Sequence, residues 1–508
     1  MHFEGCRIRW TSSAQSAPFL RAISLLCLLL LVGSAAFAET PVSEATRQCL
    51  DCHESVHPGI VADWRQSRHA VMTPKQALLV KDRNQKILTQ IVSDALMETT
   101  VGCAECHTLN AAEHPDTVSH NGFDVHPVVT PRDCAACHAT ERDQYADNIM
   151  SHAHRNLTDN VIYQDLQRSI LSPVSWKQIE TATSSLHAEA VTCYYCHGTK
   201  MAVTGVVNRS TDMGDMVFPV LSGWPNNGVG RINPDGTMGA CTACHPRHAF
   251  SQAVARKPAT CKECHNGPDV PAYKVYDASK HGNIAAAQQG KWNFTTTPWV
   301  IGKDFTAPTC AACHISLLVS EDGNVVADRT HRMNNRLAWR IFGLPYPHPQ
   351  PILPDVTVIR NADGQPLPTD FGGGTAKPYL IDEKEQRKRT ETMQAVCRAC
   401  HGTSWVAGHW QRFESTIQRT HSLTKAATDM IVDVWKQKLA KGYPESLFDE
   451  PIEKLWSGLW LYDANNIRFT AAMAGGGDYA VFAEGYAPLS KRLAEMVEWI
   501  ARQRKLPK

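Results

Sequence analysis

Cys193-Tyr194-Tyr195-Cys196-His197 decides how the rest of the chain is read. Two cysteines three apart lie on the same side of one helical turn, and the adjacent histidine can turn its imidazole to a body held there. Both sulfurs then reach the two vinyl groups of one porphyrin while the imidazole takes the iron, so C-x-x-C-H is the c-type haem attachment signature. The pattern recurs at Cys49, Cys52, His53; at Cys103, Cys106, His107; and at Cys134, Cys137, His138. It continues at Cys241, Cys244, His245; Cys261, Cys264, His265; Cys310, Cys313, His314; and Cys397, Cys400, His401. A C-x-x-C redox pair needs no histidine in the next place, and zinc knuckles need their ligands grouped in fours. The expected cofactors are therefore eight covalently bound c-type haems.

The remaining two of the 18 cysteines, Cys6 and Cys27, lie in a different kind of segment. Arg7, Arg9 and Arg21 precede the apolar run from Ala22 to Val32, and Ala36 and Ala38 form an A-x-A pattern. This reads as a secretory signal over residues 1–38, cut after Ala38, with a retained membrane anchor as the alternative. The expected location is periplasmic or otherwise exported. With 51 basic against 50 acidic side chains, no electropositive surplus supports nucleic-acid binding.

Eight haems change what the fold has to do. Each is a large apolar body that must be covered, so the expected fold is mainly α, with short helices at the motifs, long irregular connections and haems forming much of the core. Five prolines between Pro345 and Pro354, then Gly372 to Gly374, fit such connections. The intervals between first cysteines are 54, 31, 59, 48, 20, 49 and 87 residues, which is no fixed repeat. The short 103/134 and 241/261 intervals predict haems in close contact. An octahaem domain is expected over 39–405 and a C-terminal unit of about three helices over 406–508. There, apolar residues recur at helical spacing in Ala427, Met430, Ile431, Val434 and Trp435, in 451–473, and in Leu489, Leu493, Met496, Val497 and Ile500. Breaks are expected near Gly442-Tyr443-Pro444 and Gly475-Gly476-Gly477. Lacking a motif, this unit reads as structural or oligomeric.

A haem used only for electron transfer generally takes a second strong axial ligand, whereas an open iron binds substrate. Fourteen histidines lie outside the motifs and the signal. The most ligand-like are His69, His120, His152 or His154, His187, His248, His281 and His331; any one of them reads equally well as a surface or core histidine.

Several stretches resemble the octahaem hydroxylamine oxidoreductases. They are Gly239 to Phe250, Cys261 to Asp269, Ser279-Lys280-His281-Gly282, Pro308 to His314, Cys397 to Trp405, and Asp478-Tyr479 after a glycine run. The resemblance covers essentially the whole chain after the signal. It implies a mostly helical homotrimer with seven bis-histidine electron-transfer haems and one catalytic haem at the fourth motif, whose proximal ligand here is His197. It also implies a small inorganic nitrogen substrate, hydroxylamine or nitrite, and a redox partner that is a cytochrome or a membrane quinone-linked protein. Oxidative members carry an Asp-His pair after the sixth motif, where this chain reads Asp269-Val270. Loss of that imidazole removes a natural proton acceptor and leaves Asp269 to handle protons. Oxidative members also cross-link a tyrosine onto the catalytic haem; Tyr479 is the first candidate and Tyr462 the second, with helix-start packing as the other reading of Tyr479. The reductive relatives lack that link. Two alternatives stand beside this enzyme: a multihaem electron conduit with every iron six-coordinate, and a sulfur-oxyanion reductase, weakened because some of those place Lys where all eight motifs here have His.

Overall fold

The computed structural model describes residues 40–80, 85–87, 92–171, 186–212, 214–473 and 478–505; the side chains of 186–188 and 478–480 are not among them. The expected signal over 1–38 and the break at Gly475-Gly476-Gly477 lie outside the described residues.

Each motif forms a helical turn, and capping explains where several of the turns begin. Glu44–Val56 carries the first, with Ser43 accepting from the Thr46 amide at 3.1 Å. In Cys103–His107 the Glu105 carboxylate accepts from the Gly102 amide at 2.9 Å and from the Thr46 hydroxyl at 2.7 Å, joining the first two motifs. Pro131–Ala146 opens on Thr130, with Asp133 returning to the Thr130 amide at 2.8 Å, a capping box. Its His138 leaves helical geometry at φ −115° and ψ 45°. Cys193–His197 and Cys310–His314 are single helical turns. In the fifth, sixth and eighth motifs the histidine amide bonds back to the first cysteine carbonyl, at 3.1, 2.9 and 2.9 Å.

Strands are few, so the fold is mainly α, as expected. An antiparallel hairpin pairs Ala202–Thr211 with Gly214–Ser222, and a smaller one pairs Val118–His120 with Phe123–Val125. Trp299–Val300, Leu318–Val319 and Val325–Ala327 form a three-stranded sheet. Trp339–Arg340 pairs with His348–Pro349, placing Arg340 opposite His348.

The C-terminal helices are Thr403–Lys436, a continuous helical run made of Pro451–Gly458, the π-helical Leu459–Asp463 and Ala464–Ala472, and Ala487–Gln503. They bury Ile431, Val434, Trp456, Leu459, Trp460 and Met496 in one cluster. The break expected near Gly442 is present: its φ is +66°, and a Cβ there would stand 2.6 Å from the Trp435 ring, so glycine is required. These helices are not set apart from the rest. Residues 42–508 form one compact unit, and Thr403–Lys436 runs straight through 405/406. No described helix is long and apolar enough to cross a membrane.

Candidate functional site: the motif histidines and the surroundings of His197

Fifteen of the sixteen motif cysteines are half-buried and Cys400 is exposed. The main apolar clusters contain almost none of them; only Cys313 packs at the edge of one. The motifs therefore line space that the polypeptide alone does not fill. Haem fits it on a second count. With metal–imidazole bonds of about 2 Å, two imidazoles sharing one metal stand with ring centres roughly 6 Å apart. His53 and His120 stand 6.1 Å apart, His138 and His69 6.2 Å, and His401 and His281 6.0 Å.

Burial, and then neighbouring imidazoles, lower His53, His69 and His281 toward the neutral form a metal requires. Burial and then His138 pull His69 down to about 4; burial and then His331 do the same to His245. His248, expected as a ligand, is likewise lowered by burial and then by His107. His126 also stands 6.1 Å from His107, but its ring nitrogens meet the carbonyls of Leu109 at 2.8 Å and Val128 at 3.2 Å. Its own carbonyl accepts from His107 Nδ1 at 2.8 Å, so His126 orients His107 and leaves Nε2 for the iron.

The other expected ligands are placed differently. His154 gives Nδ1–H to the Gly198 carbonyl at 2.6 Å, and His152 Nε2 lies 3.2 Å from the Ala146 carbonyl. The side chain of His187 and that of Tyr479, in the π helix Asp478–Tyr486, lie outside the described residues.

Sulfurs from different motifs also meet. Cys134 stands against Cys241, Cys196 against Cys264, and Cys261 against Cys310. The Cys106 thiol is raised mainly by burial and in part by Cys137, and that of Cys244 by burial and then Cys261, so the pairs expected from the short intervals are neighbours as well. The third and fifth, fourth and sixth, and sixth and seventh motifs are not adjacent, or not close, along the chain. Their contact sets neighbouring attachment sites side by side.

Around His197 the pattern changes. Its Nδ1 donates to the Ala153 carbonyl at 3.1 Å, and no second imidazole ring faces it among the described residues. The following Gly198 has φ +92°, and a Cβ would meet the Arg231 amide at 2.3 Å, so the motif is pinned against Gly230 and Arg231. Burial lowers the His197 imidazole, Asp269 opposes that shift and Arg340 adds to it. Asp269 also acts on Cys193, on Cys196 and on Tyr462, whose hydroxyl is raised first by burial and then by that carboxylate. Thus His197, Asp269 and Tyr462 gather in one place. Sequence reasoning missed Arg340, His348, Tyr163, Asn465 and Arg468, since none belongs to a motif. The proline-rich turn from Pro345 to Pro354, read only as a connection, was the available signal for His348.

Motif turns, neutral imidazole pairs and abutting sulfurs define a c-type cytochrome with many haems, built for redox chemistry. Three family models match parts of the chain: seven times multi-haem cytochrome CxxCH over residues 235–340, cytochrome c7 and related cytochrome c over 178–266, and cytochrome c554 and c-prime over 48–130. A solved structure titled "Hypothetical multiheme protein" is 36% identical and superposes with a TM-score of 0.86 over 97% of this chain and 99% of that one. A second, from the Kuenenia stuttgartiensis reducing HAO-like protein complex Kustc0457/Kustc0458, shares the fold with a TM-score of 0.60 at 19% identity, covering 91% of this chain and 86% of its own. A curated relative, a probable nitrite reductase-hydroxylamine oxidoreductase fusion protein of Kuenenia stuttgartiensis, is 27% identical over 74% of this chain. The match spans 36% of that relative's length. The chain belongs to the multihaem c-type cytochromes.

Proposed function

We propose that the chain is an oxidoreductase of small inorganic nitrogen compounds, carrying eight covalent haems of which seven relay electrons and the one at Cys193, Cys196 and His197 takes substrate at an open iron. The observation that carries this reading is what surrounds His197: His53, His138 and His401 each face a second imidazole, whereas Asp269 and Arg340 act on His197 and the same Asp269 acts on Tyr462. Bound haem supplies iron coordination and electron transfer. The chain's own residues do the rest: Ala153 fixes the His197 ring, Asp269 handles protons, and Asn465 holds the Asp269 backbone. With Val270 where oxidative relatives place His, reduction of nitrite or hydroxylamine is favoured and Tyr479 is not cross-linked. Export after cleavage near Ala38, assembly as a homotrimer and exchange of electrons with a cytochrome or a quinone-linked membrane protein belong to the same reading.

The test is carbon monoxide binding with electron paramagnetic resonance on the holoprotein. One reactive iron among seven low-spin ones is expected. Eight low-spin irons inert to carbon monoxide would make the protein a conduit.

A further inference from the structure

Arg340 pairs across its strand with His348, and both line a pocket with Asn160 and Tyr163, closed by Val356, Ile359 and three prolines. Among the described residues no carboxylate pairs with the Arg340 guanidinium; burial lowers it and Tyr163 is the group that acts on it. A second guanidinium bonds the carbonyl of the residue that follows Arg340. Arg468 is fully buried and meets only neutral partners: the Ile341 carbonyl at 2.9 Å, Asn465 Oδ1 at 3.2 Å and Thr424 Oγ1 at 3.4 Å, with Nε left unpartnered. A buried charge is costly unless something compensates it. Arg340, whose guanidinium lies 5.8 Å from the Phe342 ring centre, is the cation that lines this pocket, and the apolar walls strengthen its field there.

We propose that the pocket binds a small planar oxyanion of the nitrite class at Arg340, so that substrate is chosen by its negative charge. This rests on the reading of the fourth motif as the substrate site. Arg340 is also among the groups that act on His197. A planar guanidinium offers two parallel N–H donors to the two oxygens of such an anion. His348 gives Nδ1–H to the Pro349 carbonyl at 2.7 Å, which leaves its Nε2 an acceptor. The donors open to the anion are therefore Arg340 and the Tyr163 hydroxyl. Neutral hydroxylamine gains nothing comparable from a guanidinium. A haem propionate shares the carboxylate chemistry and is the competing occupant.

The experiment is optical titration of the holoprotein with sodium nitrite and, separately, with hydroxylamine, beside carbon monoxide binding and the midpoint potential of the reactive haem. Arg340→Gln should weaken nitrite roughly ten- to a hundredfold and change hydroxylamine and carbon monoxide binding far less, with Arg340→Lys recovering part of the nitrite loss. A shift in midpoint potential with nitrite affinity intact would assign Arg340 to a propionate and overturn the proposal. Should Arg340→Gln fail to load haem, competition in the unmodified holoprotein decides: formate should displace nitrite but not hydroxylamine, and equal displacement of both overturns it. The two readings separate as well. Carbon monoxide binding with Arg340-independent nitrite leaves the open haem standing without this pocket, whereas a carbon-monoxide-inert protein with Arg340-dependent nitrite keeps the pocket and removes the open haem.

Discussion

The side-chain amide of Asn465 donates to the backbone carbonyl of Asp269 across 3.0 Å, tying a C-terminal helix to the loop that carries the acidic residue nearest His197. The same amide donates to the Leu461 carbonyl at 2.7 Å, and its oxygen accepts from Arg468 at 3.2 Å. The C-terminal helices therefore take part in the site, although they carry no haem motif. Asn465→Leu strands a buried carbonyl and a guanidinium at once, at a cost of about 1–3 kcal/mol per unsatisfied group. Thermal melting should fall accordingly, and the resonance spectrum of the fourth-motif haem should change while those of the other haems do not. A uniform spectral change would show that Asn465 only stabilises the fold.

Haem stoichiometry is the most direct prediction. Pyridine haemochrome assay against protein quantitation should return eight haems per chain, because eight complete motifs are present. Replacing both sulfurs of the fourth motif, Cys193→Ala with Cys196→Ala, should return seven and abolish carbon monoxide binding. Six or fewer in fully matured unmodified protein would contradict the reading.

What the sequence makes legible here is local. The motif turn is encoded within five residues, so all eight motifs and the mainly helical fold can be read directly. Histidine pairings are not local: His69 meets His138 only because the chain between them folds back, and nothing at either position specifies the other. The same holds for the Cys134–Cys241 contact. Arg340 illustrates the further limit. An arginine in a two-residue strand carries no periodicity or spacing signal, and its significance arises only from the lack of a nearby carboxylate and the proximity of His197. The motifs end before 405/406, while the helix Thr403–Lys436 runs through it.

A tyrosine bonded to the porphyrin edge would distort the ring and obstruct the supply of electrons to substrate, so the presence of the link separates oxidation from reduction. With Val270 after Asp269, chains are expected to separate cleanly on denaturing electrophoresis at the mass of one polypeptide plus eight haems. Chains joined through haem and resistant to boiling would reverse the direction assigned here. Loss of the link in Tyr479→Phe would then identify the residue, and its persistence would point to Tyr462, which lies beside Asp269.

Glu453 sets a pH dependence that has nothing to do with haem. It is fully buried, accepts from Trp435 Nε1 at 2.8 Å and from the Glu450 amide at 3.1 Å, and stands against Asp449. Burial, aided by the hydrogen bond to Asp449, pushes its carboxyl from an ordinary 4.5 up to about 8. The folded state thus binds a proton that the unfolded state has released, so the contribution of this group is full below about 4.5 and declines as pH rises to about 8. Glu453→Gln supplies a permanent N–H toward Asp449 but keeps one acceptor oxygen of two, so either the Trp435 or the Glu450 N–H loses its partner. It should flatten the fall in melting temperature between those limits, at a level lowered by that lost bond. Hydrogen exchange in Pro451–Gly458 should follow the same course, protection in the unmodified protein weakening with pH beyond the intrinsic rate and in the variant remaining level. An unmodified protein whose stability rises across that range would show that Glu453 is ionised in the fold.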